Sequence, residues 1–508
     1  MNWEKIKQNS SILMIVIVFS KIIGMLRDVV LANYFGTSNV SDAYLIASSV
    51  PVLLFYFIGH SLSTVYIPMY NKVKFEKSQE KAMDFSNSIL NLSLIISTMI
   101  VLILLMFPNI VVKIFATGFD QETAKIAVKL IKISSPSIYL MCIIYICSGY
   151  LQINKNFLIP AAISLPRNII IIFSVILANF IGIEILGWGL LSSYLLEFML
   201  LLPFILKEKF NYRLKLELKD ENLKESFYMI VPILLGICVS QINKIVDRSI
   251  ASTVITGGIS ALSYASIINN AIQEILVTGV ITILFSNCSQ LVAQKKYDLV
   301  LQKLSSTIKT MSFLLIPASI GVIILAEPII ELILSRGNFD KNSILMTSGA
   351  LRGYTIGLFF LALRDTFVKI FYAYKETKIT TVTSILAIIL NIILNIILSK
   401  YMGVNGLALA TSFSAVFHCS VLLILLRKKI GNFDIRNNFI LIIKSLISSF
   451  IMGISVKNIY GFLILSDYSN FFSLVITIIV GIGIYFGFAF ILKCDPVIKF
   501  LKRGNYDK

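Results

Sequence analysis

The residues of this sequence that could do chemistry are charged side chains set inside long apolar runs. The first run carries Lys21, Arg27 and Asp28, and the next opens on Asp42. Arg167, Glu197 and Glu274 are isolated charges in later runs. Two richer clusters follow: Lys244, Asp247 and Arg248, then Arg352, Arg364, Asp365 and Lys369. A charge at the centre of a hydrocarbon-spanning segment costs about 2.5–3.5 kcal/mol on insertion scales, so such residues face a cavity or a partner. A guanidinium is a planar fork that matches phosphate oxygens. Arg27 and Arg364 are therefore candidates to hold an anionic, phosphate-bearing substrate.

Spacing offers a structural alternative for each cluster. Lys21 and Asp28 lie seven residues apart and share a helix face. Lys244, Asp247 and Arg248 fall at i, i+3 and i+4, and Asp365 and Lys369 at i and i+4. Ion pairs within one helix would compensate these charges without any ligand. Lys125, Lys129 and Lys132 form a stripe that snorkelling to the interface explains, as it does Lys444. Asn391 and Asn395 place two carboxamides on one face. With the Thr411 hydroxyl and the Asp247 carboxylate they form an oxygen set suited to a hard cation. Hydrogen bonding between helices is the competing reading, and spacing alone favours it.

The elements that must position these residues are membrane helices. The chain has 508 residues, 57% hydrophobic and 14% charged, against about 45–50% and 25% in soluble domains. The excess falls into fourteen runs near the length that spans a bilayer: 10–34, 41–70, 84–107, 124–151, 158–182, 185–206, 226–252, 259–291, 310–334, 343–373, 379–400, 404–426, 437–457 and 471–492. Helices are required because backbone groups find no water partners in lipid. The short alternating strands of a membrane barrel are absent from the sequence. The first run shows no signal-peptide cleavage site.

Basic residues fix an orientation. Roughly 28 Lys and Arg fall in loops on the side of the N-terminus, where Lys5 and Lys7 stand, against roughly 5 on the other. Both termini are then cytoplasmic, as an even number of spans demands. The same bias accounts for the formal charge of +18, so nucleic acid is not an expected partner. Six cysteines and the isolated His60 and His418 have neither disulfide nor metal spacing. No phosphate-binding GxxxxGK[ST] loop and no nucleophile motif occurs, which argues against an enzyme.

A polar loop from Lys207 to Lys224 divides the first twelve runs into two sets of six. Tyr150-Leu-Gln-Ile-Asn-Lys-Asn, Asn168 and Gly187-Trp-Gly-Leu190 are echoed by Tyr372-Ala-Tyr-Lys-Glu-Thr-Lys, Asn391 and Asn405-Gly-Leu407. The copies are six spans apart and point the same way. That predicts two parallel lobes, 1–206 and 226–427, around a central cavity. A cytoplasmic linker at 207–225, two extra spans at 437–493 and a cytoplasmic tail at 494–508 complete the expected layout.

The N-terminal sequence Phe19-Ser-Lys-Ile-Ile-Gly-Met-Leu-Arg-Asp28 continues through Ala32-Asn-Tyr-Phe-Gly36 to Ser41-Asp-Ala-Tyr44 and Pro51. It resembles the MurJ (MviN) lipid II flippases of the MOP exporter superfamily. Val246-Asp-Arg-Ser-Ile-Ala-Ser252, Arg336-Gly-Asn-Phe-Asp340, Ala362-Leu-Arg-Asp365 and Gly403-Val-Asn-Gly-Leu-Ala-Leu-Ala-Thr411 resemble later signatures of that family, in order. The resemblance implies a fourteen-helix transporter without enzymatic activity. It would move undecaprenyl-pyrophosphate-linked peptidoglycan precursor across the cytoplasmic membrane by alternating access, driven by an ion gradient or the membrane potential. Spans 13 and 14 would form a groove for the lipid tail.

By position the resemblance assigns Lys21, Arg27, Asp28 and Asp42 to the substrate cavity; Arg352 and Arg364 are not placed by it and stand as substitutes for an arginine missing from span 8. It assigns Na+, as coupling or structural ion, to Asp247, Asn391, Asn395 and Thr411, and implies no other cofactor. Membrane lipids and cell-wall synthases are the implied partners. The sequence departs from the family pattern in three places. Phe55 and Tyr56 stand where an arginine pair is usual, and Ser266 and Ile267 follow Tyr264-Ala265 where an arginine is usual. Asn395 replaces a carboxylate. A flippase for another polyprenyl-linked oligosaccharide, of O-antigen or teichoic type, is the alternative. A drug/cation antiporter would fill its cavity with carboxylates, and a non-transporting scaffold would need none of these charges.

Overall fold

A computed structural model describes residues 3–217, 219–431 and 434–497, with the side chains at 3–11, 57–58, 60–64, 227, 231–240 and 435 outside that description. The side chains of Lys5, Lys7, His60 and Cys238, and all of Lys499, Lys502, Arg503 and Lys508, lie outside the described residues. The described residues fold into helices joined by loops, with no strand among them. In chain order the helices are α1 (Trp3–Phe35), α2 (Asn39–Glu76), α3 (Gln79–Met106), α4 (Pro108–Phe115), α5 (Gln121–Ser134), α6 (Ser137–Ile153), α7 (Leu158–Ala162), α8 (Ser164–Ile181) and α9 (Glu184–Lys207). After them come α10 (Glu221–Val254), α11 (Gly258–Gln273), α12 (Gly279–Ala293), α13 (Tyr297–Leu334), α14 (Lys341–Ile356), α15 (Leu358–Ala373), α16 (Thr377–Ile430), α17 (Ile435–Leu465) and α18 (Asn470–Ile491).

Helical segments stand at every expected span. Among the described residues, eight helices are long and apolar enough to cross a membrane, or nine if α5 and α6, bent by 47°, make one span. The charge-rich α1, α10 and α14–α15 are not among the eight. Two expected spans, 379–400 and 404–426, form the single long α16, which turns at Gly403 (φ 59°, ψ −137°). That conformation is in the left-handed half of backbone space, where a side chain is disfavoured.

Five helices end alike on a lysine. Lys155, Lys209, Lys295, Lys375 and Lys493 follow α6, α9, α12, α15 and α18 with φ between 52° and 65°. In each, the next residue's N–H reaches back to the helix, as from Asn156 to the Leu151 carbonyl (2.9 Å) and from Glu376 to that of Phe371 (2.9 Å). This is the Schellman ending, which usually takes glycine. Lysine is favoured here by the partial negative charge of a helix C-terminus. The first and fourth belong to the two copies of the sequence repeat, so the repeat extends to backbone geometry.

The chain clusters into two compact units. The first holds Met1–Ser260 with Arg336–Phe339, and the second holds Ala261–Ser335 with Asp340–Lys508. In the first, α2 packs against α3, α5, α6 and α10, and α8 packs against α1 and α9. Tyr66, Tyr70, Tyr150 and Phe210 form a chain of ring contacts with centroids 5.0–6.0 Å apart. The polar stretch after α9 is docked rather than loose. Asn87 Nδ2 donates to the Asn211 carbonyl (3.0 Å), Asn91 Nδ2 to those of Arg213 (3.1 Å) and Lys215 (2.9 Å), and Lys215 pairs with Asp84 (2.6 Å). A stripe of buried polar side chains on α3 thus satisfies backbone groups that have no ladder.

In the second unit α13 packs against α14 and α17, and α16 packs against α14 and α15. Leu304, Met311, Leu315, Leu358, Phe367 and Phe371 are buried in its core. Lys309 bridges Asp434 (3.7 Å) and Asp495 (2.9 Å), tying the ends of α17 and α18 to α13.

Candidate functional site

The first unit encloses a cavity of about 410 Å³ between α1, α2, α6, α8 and α9. Its charges come from two neighbouring pairs. Arg27 on α1 donates from Nε and Nη2 to Asp28 Oδ1 (3.0 and 2.8 Å) and from Nη1 to Asn168 Oδ1 on α8 (3.1 Å). Arg167, the residue before Asn168, lies over the Tyr194 ring (5.4 Å to the centroid), with Nη1 3.5 Å from Glu197 Oε2 on α9. The two arginine side chains keep 31% and 30% of their surface exposed, whereas Asp28 and Glu197 keep 12% and 5%. The carboxylates hold the arginines from behind, and the guanidinium edges face the space. Tyr44, Phe55, Tyr56 and Tyr145 add aromatic walls.

Two cations at a low-dielectric wall attract an anion more strongly than the same groups in water. Each has an internal carboxylate, so the two pairs are charge-compensated within the protein. A guanidinium has five N–H donors, and a second Nη1 hydrogen of Arg27 is left for a ligand. The arrangement suits reversible binding of a phosphate-type anion beside a flat or sugar-like group.

The other expected site residues do not line this cavity. Lys21 is exposed on α1 and does not line this cavity. The expected pairing of Asp28 with Lys21 gives way to Arg27, which meets it in a fork. Asp42 is 2% exposed and accepts from the backbone N–H groups of Gly257 (2.8 Å) and Ser260 (2.8 Å) and from the Ser260 hydroxyl (2.7 Å). It caps the start of α11 from α2, with all its bonds inside the protein. Arg352 donates to the Ile323 carbonyl (3.2 Å) and approaches Glu327 (3.7 Å), both on α13. Arg364 pairs with Asp365 (2.7 Å) in the second unit.

Of the expected cation ligands, Asn395 Nδ2 donates to Asn391 Oδ1 (3.0 Å), and Asn391 Nδ2 reaches the Ser414 hydroxyl (3.5 Å). Thr411 donates to the Leu407 carbonyl (3.3 Å). Asp247 accepts from Asn243 (3.2 Å) and belongs to the first unit, whereas the other three belong to the second. Among the described residues no group of three or more His, Cys, Asp or Glu is placed to hold a metal ion. The carboxamides and hydroxyl still offer oxygens of the type a hard cation takes.

Spans 13 and 14 line a different space. An apolar cavity of about 420 Å³ in the second unit lies between α13, α17 and α18, with Phe313, Pro317, Met452, Val456, Gly481 and Tyr485 on its walls.

Asn168, Tyr44 and Tyr194 are not among the residues the sequence marks for the site, and Arg167 and Glu197 stand in the sequence only as isolated charges in apolar runs. One signal was available. Arg167 precedes Gly182 by fifteen residues and Glu197 follows it by fifteen. A tight antiparallel hairpin turning there brings them to the same depth.

The sequence profile of the family described as lipid II flippase MurJ matches residues 31–491. The lipid II flippase of Thermosipho africanus is 32% identical over 485 residues, covering 95% of this chain and 96% of that protein. A probable lipid II flippase of Thermotoga maritima is 27% identical over 96% of this chain and 97% of its own. A solved structure described as a lipid II flippase in an inward closed conformation superposes with a TM-score of 0.82 at 30% identity, over 96% of this chain and 99% of that one. An inward-facing multidrug transporter of the MATE family and MOP superfamily superposes with a TM-score of 0.69 at 14% identity, a likeness of fold.

Proposed function

We propose that this chain, which belongs to the MurJ family of lipid II flippases, moves lipid II across the cytoplasmic membrane by alternating access. The observation that carries the reading is the cavity in which Arg27 and Arg167 face one space beside aromatic walls. A pyrophosphate is a multiply charged anion with oxygens spaced for guanidinium forks. The adjoining sugar presents C–H faces to Tyr44, Tyr56 and Tyr145. The position after Pro51 that is usually basic in the family is here Phe55 and Tyr56, and Arg167 brings the second guanidinium from α8 instead.

Both termini face the cytoplasm, and transport lobes are built on 1–206 and 226–427. The apolar cavity of α13, α17 and α18 receives the lipid chain. Na+ or the membrane potential supplies the driving force, with Asn391, Asn395 and Thr411 as cation ligands. Cell-wall synthases receive the product. The aromatic replacement at Phe55 also favours a second reading, in which the head group is another polyprenyl-linked glycan.

The test is rescue of cells depleted of their own lipid II flippase. Wild type restores growth and outward movement of lipid II, and Arg27→Ala, present at normal level in the membrane, restores neither. Rescue by Arg27→Ala would remove the assigned role. Rescue failing for wild type as well would favour the other glycan. The same cells, with and without a membrane potential, separate the driving forces.

A further inference from the structure

The second unit holds another polar cavity, of about 500 Å³, between α11, α12 and α15. Its wall includes a break in helix geometry: residues Glu274–Thr278 form one π-helical turn between α11 and α12. Such turns are uncommon, recur at functional sites, and change where the following side chains point. Glu274 and Thr278 face the cavity, as do Asn270 and Gln273 before them.

Opposite stand Asp365 and Lys369 of α15. Their i, i+4 spacing predicts an ion pair, and the structure replaces it. Asp365 is taken by Arg364 from Nε (3.0 Å) and Nη2 (2.7 Å), and by Gln273 Nε2 (3.0 Å). Lys369 instead places its ammonium over the rings of Phe285 (5.3 Å to the centroid) and Tyr372 (5.8 Å). No ion pair to Lys369 is formed among the described residues. It is a half-buried cation, held in position by aromatic faces, whose expected carboxylate has another partner.

The chemistry of this wall differs from that of the arginine cavity. A single ammonium flanked by Glu274 and Asp365 is a poor host for a doubly charged phosphate. It suits a single carboxylate, with carboxamides and hydroxyls beside it to bond peptide N–H and C=O groups. We infer that this cavity binds the peptide portion of the lipid-linked precursor, with Lys369 holding a peptide carboxylate. The inference rests on the lipid II reading and adds a separate site for a separate part of that molecule. The arginine cavity recognises the pyrophosphate end, and this one distinguishes precursors that carry a peptide from those that do not.

The experiment uses the purified full-length protein in lipid nanodiscs and two ligands: lipid II, and lipid II from which the peptide has been cut by an amidase. Wild type binds the peptide-bearing lipid about tenfold more tightly, equivalent to about 1.4 kcal/mol. Lys369→Met, which keeps the stem on the rings, binds both lipids with the affinity wild type has for the peptide-free one. Arg27→Ala weakens both ligands alike. A Lys369→Met protein that keeps the tenfold preference, or a wild type without one, overturns the inference while leaving the pyrophosphate site standing. A wild type that binds neither lipid overturns the lipid II reading and this one together. If Lys369→Met does not fold, lipid II with amidated peptide carboxylates is bound by wild type. Its affinity must fall to the peptide-free level, and undiminished affinity overturns the role of Lys369.

Discussion

Arg167 Nη1 lies 3.5 Å from Glu197 Oε2, across a helical hairpin whose turn is equidistant from both residues. Glu197 keeps only 5% of its side-chain surface, so Arg167 is its charge partner and a cavity cation at once. Arg167→Ala therefore leaves a buried carboxylate uncompensated, at a cost of about 3–5 kcal/mol. Thermal unfolding in detergent should register the loss, and Glu197→Gln added to Arg167→Ala should recover most of it. Recovery of stability without recovery of transport would separate the two duties of Arg167.

Arg27→Lys keeps the charge and loses the fork. An ammonium cannot hold Asp28 and Asn168 while also meeting an anion edge-on. Affinity for lipid II should drop by roughly tenfold, or about 1.4 kcal/mol, with stability nearly unchanged. Equal affinity of Arg27→Lys and wild type would show that charge alone matters here.

The Asp42 carboxylate accepts from the backbone N–H groups of Gly257 and Ser260 and from the Ser260 hydroxyl. Asp42→Ala strands two backbone N–H groups at the start of α11 and should lower stability by about 1–2 kcal/mol. Binding of lipid II by the folded fraction should be unchanged. A large loss of affinity at intact stability would return Asp42 to the substrate site.

Gly118 approaches the backbone of the α10 end so closely that an added Cβ would lie 2.4 Å from the Ser252 carbonyl oxygen. Neither side of that contact is a flexible side chain, so Gly118→Ala must displace backbone. Its yield of folded protein should fall well below that of Gly279→Ala, where nothing lies within 4 Å. Gly279 is also inside a helix, where alanine is worth about 0.5–1 kcal/mol over glycine, so that variant should be at least as stable as wild type.

Asp120 and Asp340 cap α5 and α14 outside the expected spans. Bonds from Thr123 and Ser343 hold their carboxyls below the usual range. A depressed folded-state value gives stability that is complete above the unfolded value, near 3.9, and is lost as pH falls through the folded one. Melting temperatures should therefore decline below about pH 4, and the Asp120→Asn, Asp340→Asn double variant should decline less, since asparagine caps without titrating. Parallel curves would rule the caps out as the source.

Much of this protein is settled by sequence alone. Apolar runs of bilayer length dictate helices, because lipid leaves a backbone no other way to satisfy its polar groups. The lysines after Tyr150 and Tyr372 mark helix ends that the backbone forms in the same way. That Arg27 lines a cavity could be expected from residue type and environment. Which charges share a space was decided by tertiary structure. Helical spacing reports only neighbours on one helix, so it paired Asp28 with Lys21 and Asp365 with Lys369. In the fold the adjacent arginines reach those carboxylates first. That exchange releases Lys369 to a separate cavity. The α8–α9 hairpin, by the same kind of long-range placement, delivers Arg167 to the side of Arg27, two helices that 140 residues of sequence keep apart.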